Sequence, residues 1–249
     1  MQTVTAATLR AIMRDFYEGA AGLDLTAGIA AGPFGSPARY EFGPAAKTVS
    51  GGWERPISLY RTQYSFVNQV WANKQGGLGS KGETARTTGQ ATTGVVWFGP
   101  HAAHGTCYVP LSPLAIAAPA PLTAGTPWIF TRASAWWAHR YVANIANLNF
   151  RHMIRDVRAE QVRLEASGEA LVRRLTGPAG ASAEVWTQAS GALSLEVNAA
   201  WWRLFDALMF KFSDGFENTA EAMATPLGYP ARWLEDKEVG YIDGPRSGL

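Results

Sequence analysis

The residue types best suited to chemistry fall at a regular spacing in this sequence: His101, His104 and Cys107, in the pattern H-x-x-H-x-x-C. Imidazole and thiolate are zinc ligands, and a catalytic zinc needs only three protein ligands and a water. The same residues offer a Cys107–His104 dyad for nucleophilic attack. Against the dyad, a spacing of three on an extended strand sends the two side chains to opposite faces. Against the metal, a structural zinc takes four ligands, and patterns this short recur by chance. Cys107, the only cysteine of 249 residues, therefore reads as a small buried side chain. No metal and no cofactor is expected.

Arg61 is the stronger candidate. The stretch PISLYRTQYSFVNQV (56–70) is dense in β-branched and aromatic residues and alternates, which predicts one long strand. Ile57, Leu59, Arg61, Gln63, Ser65 and Val67 then share a face with apolar ends and a polar middle, and Tyr60, Thr62, Tyr64 and Phe66 take the other. A guanidinium stays charged when buried and grips carboxylates with a two-pronged fork. A structural ion pair with Glu54 or Glu18 is an equally good account of Arg61. Arg151, Arg155 and Arg158 form a basic stripe, but Asp156 and Glu160 interleave, as on a solvated helix face. The tandem tryptophans 136–137 and 201–202 read as packing anchors.

The elements that must position these residues follow from periodicity. A first helix is expected from an N-cap at Thr5, with Leu9, Ile12, Met13 and Phe16 on one face, ended by Gly19 and Gly22. GIAAGPFGSPARYEFGP reads as an ordered, turn-rich loop. Residues 73–93 have almost nothing to bury and read as a flexible insertion. Val95–Phe98 and Thr106–Leu111 read as strands joined by the turn GPHAAHG, followed by a proline-rich connector. From Ser134 the pattern turns helical through Trp137, Tyr141, Ile145, Leu148, Ile154, Val157 and Leu164. A break is expected near Gly168 and an end at Thr176-Gly177-Pro178. A last helix carries Leu193, Val197, Trp201, Leu204 and Leu208. The order implies an α+β fold, a mostly antiparallel sheet followed by long C-terminal helices. Residues 1–249 read as a single domain, with helix, loops and strands over 1–130 and mainly helix over 131–249.

Composition narrows the function classes. The chain is 47% hydrophobic and 17% charged, with ten tryptophans, and its net charge is +2. That near balance argues against a nucleic-acid module, which concentrates basic charge on one face. One cysteine rules out an internal disulfide framework, and no apolar run approaches the ~18 residues of a spanning helix. The expectation is an intracellular protein, cytoplasmic or organellar, and not a secreted one. The acid-free, arginine-bearing start MQTVTAATLRAIMR has the look of a mitochondrial leader but reads better as the first helix.

Five blocks stand in order: RDFYEGAAGLDLTAGIAAGPFGSPARY (14–40), ERPISLYRTQYSFV (54–67), VVWFGPHAAHGTCYVP (95–110), SAWWAHRYVANIANLNFRHMIRDVRAEQ (134–161) and LGYPARWLEDKEVGY (227–241). Together they resemble the later part of the dipeptidase/secernin family of cysteine N-terminal-nucleophile peptidases. The resemblance implies part of an αββα sandwich and the hydrolysis of dipeptides. In that chemistry an N-terminal cysteine supplies both the thiolate and, through its α-amine, the base. This sequence begins Met-Gln and offers no such residue, and Cys107 lies too deep in the chain to double as the amine. Arg61 is implied, by analogy of context, as the arginine that sits beside the nucleophile in related enzymes. Phe16 stands where the family typically has histidine, and His101 where it has aspartate; both lose polar features. Two functions follow as expectations. One is a dipeptidase chain lacking its own nucleophile and active only with a partner chain that supplies an N-terminal cysteine. The other is a catalytically inactive, peptidase-derived subunit of a larger assembly. Both require a protein partner, and neither calls for nucleic acid.

Overall fold

The computed structural model describes residues 4–41, 43–71, 94–177, 180–219, 221 and 224–235; the insertion expected at 73–93 lies outside the described residues. A short helix α1 (Ala6–Met13) leads through a turn-rich loop into an antiparallel sheet of β1 (Tyr64–Val70), β2 (Gly94–Pro100) and β3 (Val109–Leu111), in that order. A short α2 (Ala120–Thr123) precedes three longer helices, α3 (Ala135–Ala146), α4 (Phe150–Leu175) and α5 (Ala183–Lys211). A small second sheet, β4 (Phe212–Ser213), β5 (Phe216–Asn218) and β6 (Ala224–Pro226), follows, then α6 (Ala231–Leu234). The α+β class read from the sequence is the one observed. Among the described residues no helix is long and apolar enough to cross a membrane.

The main sheet has two unlike faces. Val67, Val95, Trp97 and Val109 are buried with Val157, Leu164 and Val172 of α4 and Val197 and Trp201 of α5 in one core. Tyr64 and Phe66 on the opposite face are 57% and 51% exposed. Phe66 pairs with Phe98 across the ladder, and Tyr64 stacks on Phe98 with ring centroids 5.8 Å apart. Among the described residues α4 and α5 cover one face, while on the other α2 and the start of α3 reach the Tyr64 end alone.

Thr5 caps α1 in a reciprocal capping box with Thr8, but the buried face is not the apolar one expected. Leu9 and Ile12 are exposed, while Arg10 is 2% exposed, because α4 presents carboxylates and β2 an indole ring to it. The strand expected over 56–70 begins only at Tyr64. Residues before it are held in turns, with the Ser58 amide donating to Asp15 O (2.8 Å) and Thr62 to Leu59 O (3.0 Å). The strand expected over 106–111 is likewise cut to Val109–Leu111. Side chains take the backbone groups that a strand would use: Arg14 and Gln161 both donate to Thr106 O, and the Tyr108 amide donates to Glu165.

In the helical half the break falls at Asn147–Asn149, not at Gly168. Gly168 lies inside α4 at its closest approach to the sheet. A β-carbon there would meet Trp97 Cζ3 at 3.1 Å and Pro110 Cδ at 3.2 Å, so the residue is small for packing and not for bending. The face of α3 that enters the core is Ala138, His139, Val142, Ala143 and Ala146, with Trp137 and Tyr141 half-buried at its flank and Leu148 exposed. The expected stripe on α5 is in the core at Leu193, Val197, Trp201 and Leu208.

Candidate functional site

Cys107 sits on the connector between the turn Ala103–Gly105 and β3, fully buried. Burial pushes its thiol well above the usual range, and the nearby charge of Glu165 adds to this against the opposing pull of Arg14 and Arg10. Such a group is a neutral, inert thiol at ordinary pH.

Around it lies a buried ionic network that ties three elements together. Glu165 of α4 accepts from Arg10 Nε (3.1 Å), from Arg14 and from the Tyr108 amide (2.9 Å). Arg10 also reaches Glu169 at 2.6 Å, and Arg14 Nη2 donates to Thr106 O at 3.0 Å. The guanidinium of Arg10 lies 4.0 Å over the Trp97 ring and that of Arg14 5.0 Å over Tyr108. Tyr108 in turn meets Ser65 Oγ at 2.6 Å. The spacing that carries the network is present in the sequence: Arg10 of α1 and its C-cap Arg14 are four residues apart, as Gln161 and Glu165 are on α4.

The three histidines of this region are held neutral. His104 takes part in a tight exchange with Ser58, whose Oγ lies 2.8 Å from Nδ1 and accepts the His104 amide at 2.8 Å. Burial lowers its pKa to about 4. His101 adopts a left-handed backbone (φ 65°) at the end of β2, and its amide donates to Gln63 O at 2.8 Å. Its Nδ1 has no partner among the described residues, and its ring meets Trp136 edge-on. Burial lowers its pKa to about 3, and the Arg140 charge opposes protonation as well. His139 is stacked on Trp201 and hydrogen-bonded to Ala135 O at 2.7 Å, and burial lowers it to about 4. Among the described residues no three His, Cys, Asp or Glu side chains stand together as metal ligands. His104 Nδ1 is committed to Ser58, and no hydrogen bond joins His104 to Cys107 among the described residues.

Arg61 lies in the turn before β1 and not mid-strand. Among the described residues it forms an ion pair with Glu41 at 4.0 Å, in place of Glu54 or Glu18. Glu41 also holds Arg55 through two bonds of 3.1 Å, and Glu18 pairs with Arg158 at 2.7 Å. Gln63, two residues on, lines a cavity of about 250 Å3 at the Tyr64 end of the sheet's uncovered face, together with Tyr64, Phe98 and Trp136. The structure therefore gathers Cys107, His104 and the arginines of α1 in the core, and sets Arg61 apart from them, near the open face.

The model for peptidase family C69 matches residues 1–163. That span runs from α1 through the whole three-stranded sheet and half of α4, and takes in four of the five sequence blocks. No curated protein and no solved structure matches the chain. The family match covers well over half of the 249 residues, and the chain belongs to peptidase family C69.

Proposed function

We propose that this chain is the non-nucleophilic part of a dipeptidase, active only when a partner polypeptide supplies an N-terminal cysteine. The observation that carries the reading is the state of Cys107: the sole thiol of these 249 residues is buried and protonated, far from any open surface. The partner is assigned to the uncovered face of the sheet, where Tyr64, Phe66 and Phe98 form the aromatic patch that a second layer of a sandwich would cover. Arg61, at the margin of that face, orients the substrate or the incoming nucleophile through its guanidinium. The chain acts as one folding unit, since α1 is ion-paired to α4 across more than half of the sequence.

Phe16 favours a second reading. It stands where the family typically carries histidine, and here it is buried, edge-on to Phe150 at 5.2 Å and to His104 at 6.1 Å. A polar position turned into a core contact suits a subunit that has lost catalysis and kept its architecture. Native mass spectrometry of the complex purified from its source, followed by assay against a panel of dipeptides, separates the two. Co-purification of a chain beginning with cysteine, with hydrolysis that falls about tenfold or more in Arg61→Ala, supports the split dipeptidase. Unrelated partners and no hydrolysis support the structural subunit. Turnover of a dipeptide by the isolated, contaminant-free chain overturns the first reading.

A further inference from the structure

The cavity of about 250 Å3 at the end of the open face has a chemistry of its own. One wall is the start of α3, a twelve-residue helix whose N-cap is Ser134. Ser134 lines the cavity and is 3% exposed, yet its hydroxyl makes no capping bond to the helix. The amides of Ala135, Trp136 and Trp137 donate no hydrogen bond among the described residues. Helix α1 uses Thr5 and α5 uses Ser182 to satisfy the same groups. A helix start with its amides unspent carries a partial positive charge. The remaining walls are mostly aromatic and aliphatic, chiefly Tyr64, Phe98, Leu122 and Trp136, with the uncharged polar Gln63, Thr123 and Thr126 among them, and no acidic or basic side chain of the described residues lines the space.

The wall is built rigidly. Gly125 has a left-handed backbone (φ 75°), and a β-carbon there would stand 2.9 Å from Thr131 and 3.4 Å from Ser134. The loop that follows is tied down by Trp137, whose Nε1 donates to Thr126 O and Ile129 O at 3.0 Å each. The lining is thus a fixed pocket with one uncommitted polar end and an apolar body.

We propose that this cavity binds a small carboxylate bearing an uncharged aromatic or aliphatic side chain, with the carboxylate on the α3 amides and Ser134 and the side chain against Trp136, Tyr64 and Phe98. The proposal deepens the dipeptidase reading and rests on it for the identity of the ligand, the C-terminal residue of a dipeptide. It names the residues that anchor that end of the substrate beside the face assigned to the partner.

Calorimetric titration of the full chain with alanyl-phenylalanine, and with its C-terminal amide, tests it without any turnover. The dipeptide is expected to bind, and the amide to bind about tenfold or more weakly, since it forfeits charge-assisted hydrogen bonds. Ser134→Asp places a carboxylate on the same amides; aspartate is as good an N-cap as serine, so the variant is expected to melt no lower and to lose alanyl-phenylalanine binding by a similar factor. Equal affinity for free phenylalanine makes the released amino acid the occupant and supports the same anchor. Equal affinity for the amide, unchanged binding in Ser134→Asp, or no binding by the wild-type chain overturns the proposal. Because the measurement uses this chain alone, failure to find a cysteine-bearing partner leaves its outcome unaffected, and the reverse holds as well.

Discussion

The two faces of the three-stranded sheet come from the same strands and the same alternation, but they are finished differently. On one, Trp97 lies under Arg10 and against Gly168, and Val67, Val95 and Val109 join a core shared with α4 and α5. On the other, Tyr64 stacks on Phe98, Phe66 stands opposite Phe98 in the ladder, and Tyr64 and Phe66 are exposed. The inner face also carries the charged network of Glu165 and the neutral histidines; Tyr64, Phe66, Asn68 and Val70 of the outer face add no ionisable group apart from a phenol. The contrast teaches that the fold's stability is concentrated on the helix side, and it is to the outer side that the proposed partner is assigned. Stability and association are therefore expected to respond to different substitutions.

Acid is expected to have the largest effect, through the inner side. His101, His104 and His139 ordinarily titrate near 6.5, and burial lowers them to about 3, 4 and 4. Below pH 6.5 the unfolded chain binds protons that the folded one refuses, so stability is complete above 6.5 and drains away as pH falls toward 4. At pH 5 the loss is about 2 kcal/mol per histidine, or about 6 kcal/mol for the three. The groups facing them, Arg140 and Arg158, oppose protonation as well. Denaturant melts between pH 7.5 and 5 check the slope, and His139→Phe, which keeps a ring against Trp201, removes one histidine's share of it. A flat profile over that range contradicts the picture of a dry inner side.

Glu165→Gln comes next. It leaves Arg10 and Arg14 buried without their shared anion, at a cost of about 3–5 kcal/mol, read as a lower midpoint in urea. This network also marks the limit of what the sequence disclosed. The α+β class, the N-cap at Thr5, the core of α5 and the opposite exposures of Tyr64 and Ser65 were legible, because each follows from local periodicity or capping. Where α1 turns its arginine inward, and where the strands at 56–63 and 106–108 give way to turns, the decisive partner lies far along the chain: Glu165 for Arg10 and Tyr108, His104 for Ser58. Propensity has no access to such partners. At the candidate site, Arg61 was visible as a residue type, but its turn and its pairing with Glu41 were not. The α3 cavity was invisible for the same reason, since Ser134 reads in sequence as an ordinary cap.

Gly168→Val probes the inner face by shape alone. The new side chain meets Trp97 and Pro110 where even a β-carbon is tight, and overpacking of this kind costs about 1–3 kcal/mol. The thermal midpoint should fall by several degrees with no change in the pH slope, because no titrating group moves. A loss of slope alongside the loss of stability would mean that the sheet–helix contact and the buried histidines are one cooperative feature and not two.

The smallest effect on stability is expected from the outer face, and there the comparison is sharpest. Phe66 is half exposed and stands opposite Phe98 in the ladder. Phe66→Thr replaces one residue type favoured in strands by another, so the isolated chain should change by no more than about 0.5 kcal/mol. If the aromatic patch is where a cysteine-bearing partner sits, the same substitution removes a central apolar anchor from that interface. The complex should then dissociate at concentrations where the wild type holds together, seen as a loss of the co-purifying chain and a shift in sedimentation. A large destabilisation of the isolated chain would show that the outer face is already covered within the molecule. An unchanged complex would move the interface elsewhere, with the exposed Trp128, Ile129 and Phe130 beside the α3 cavity as the next apolar surface to test.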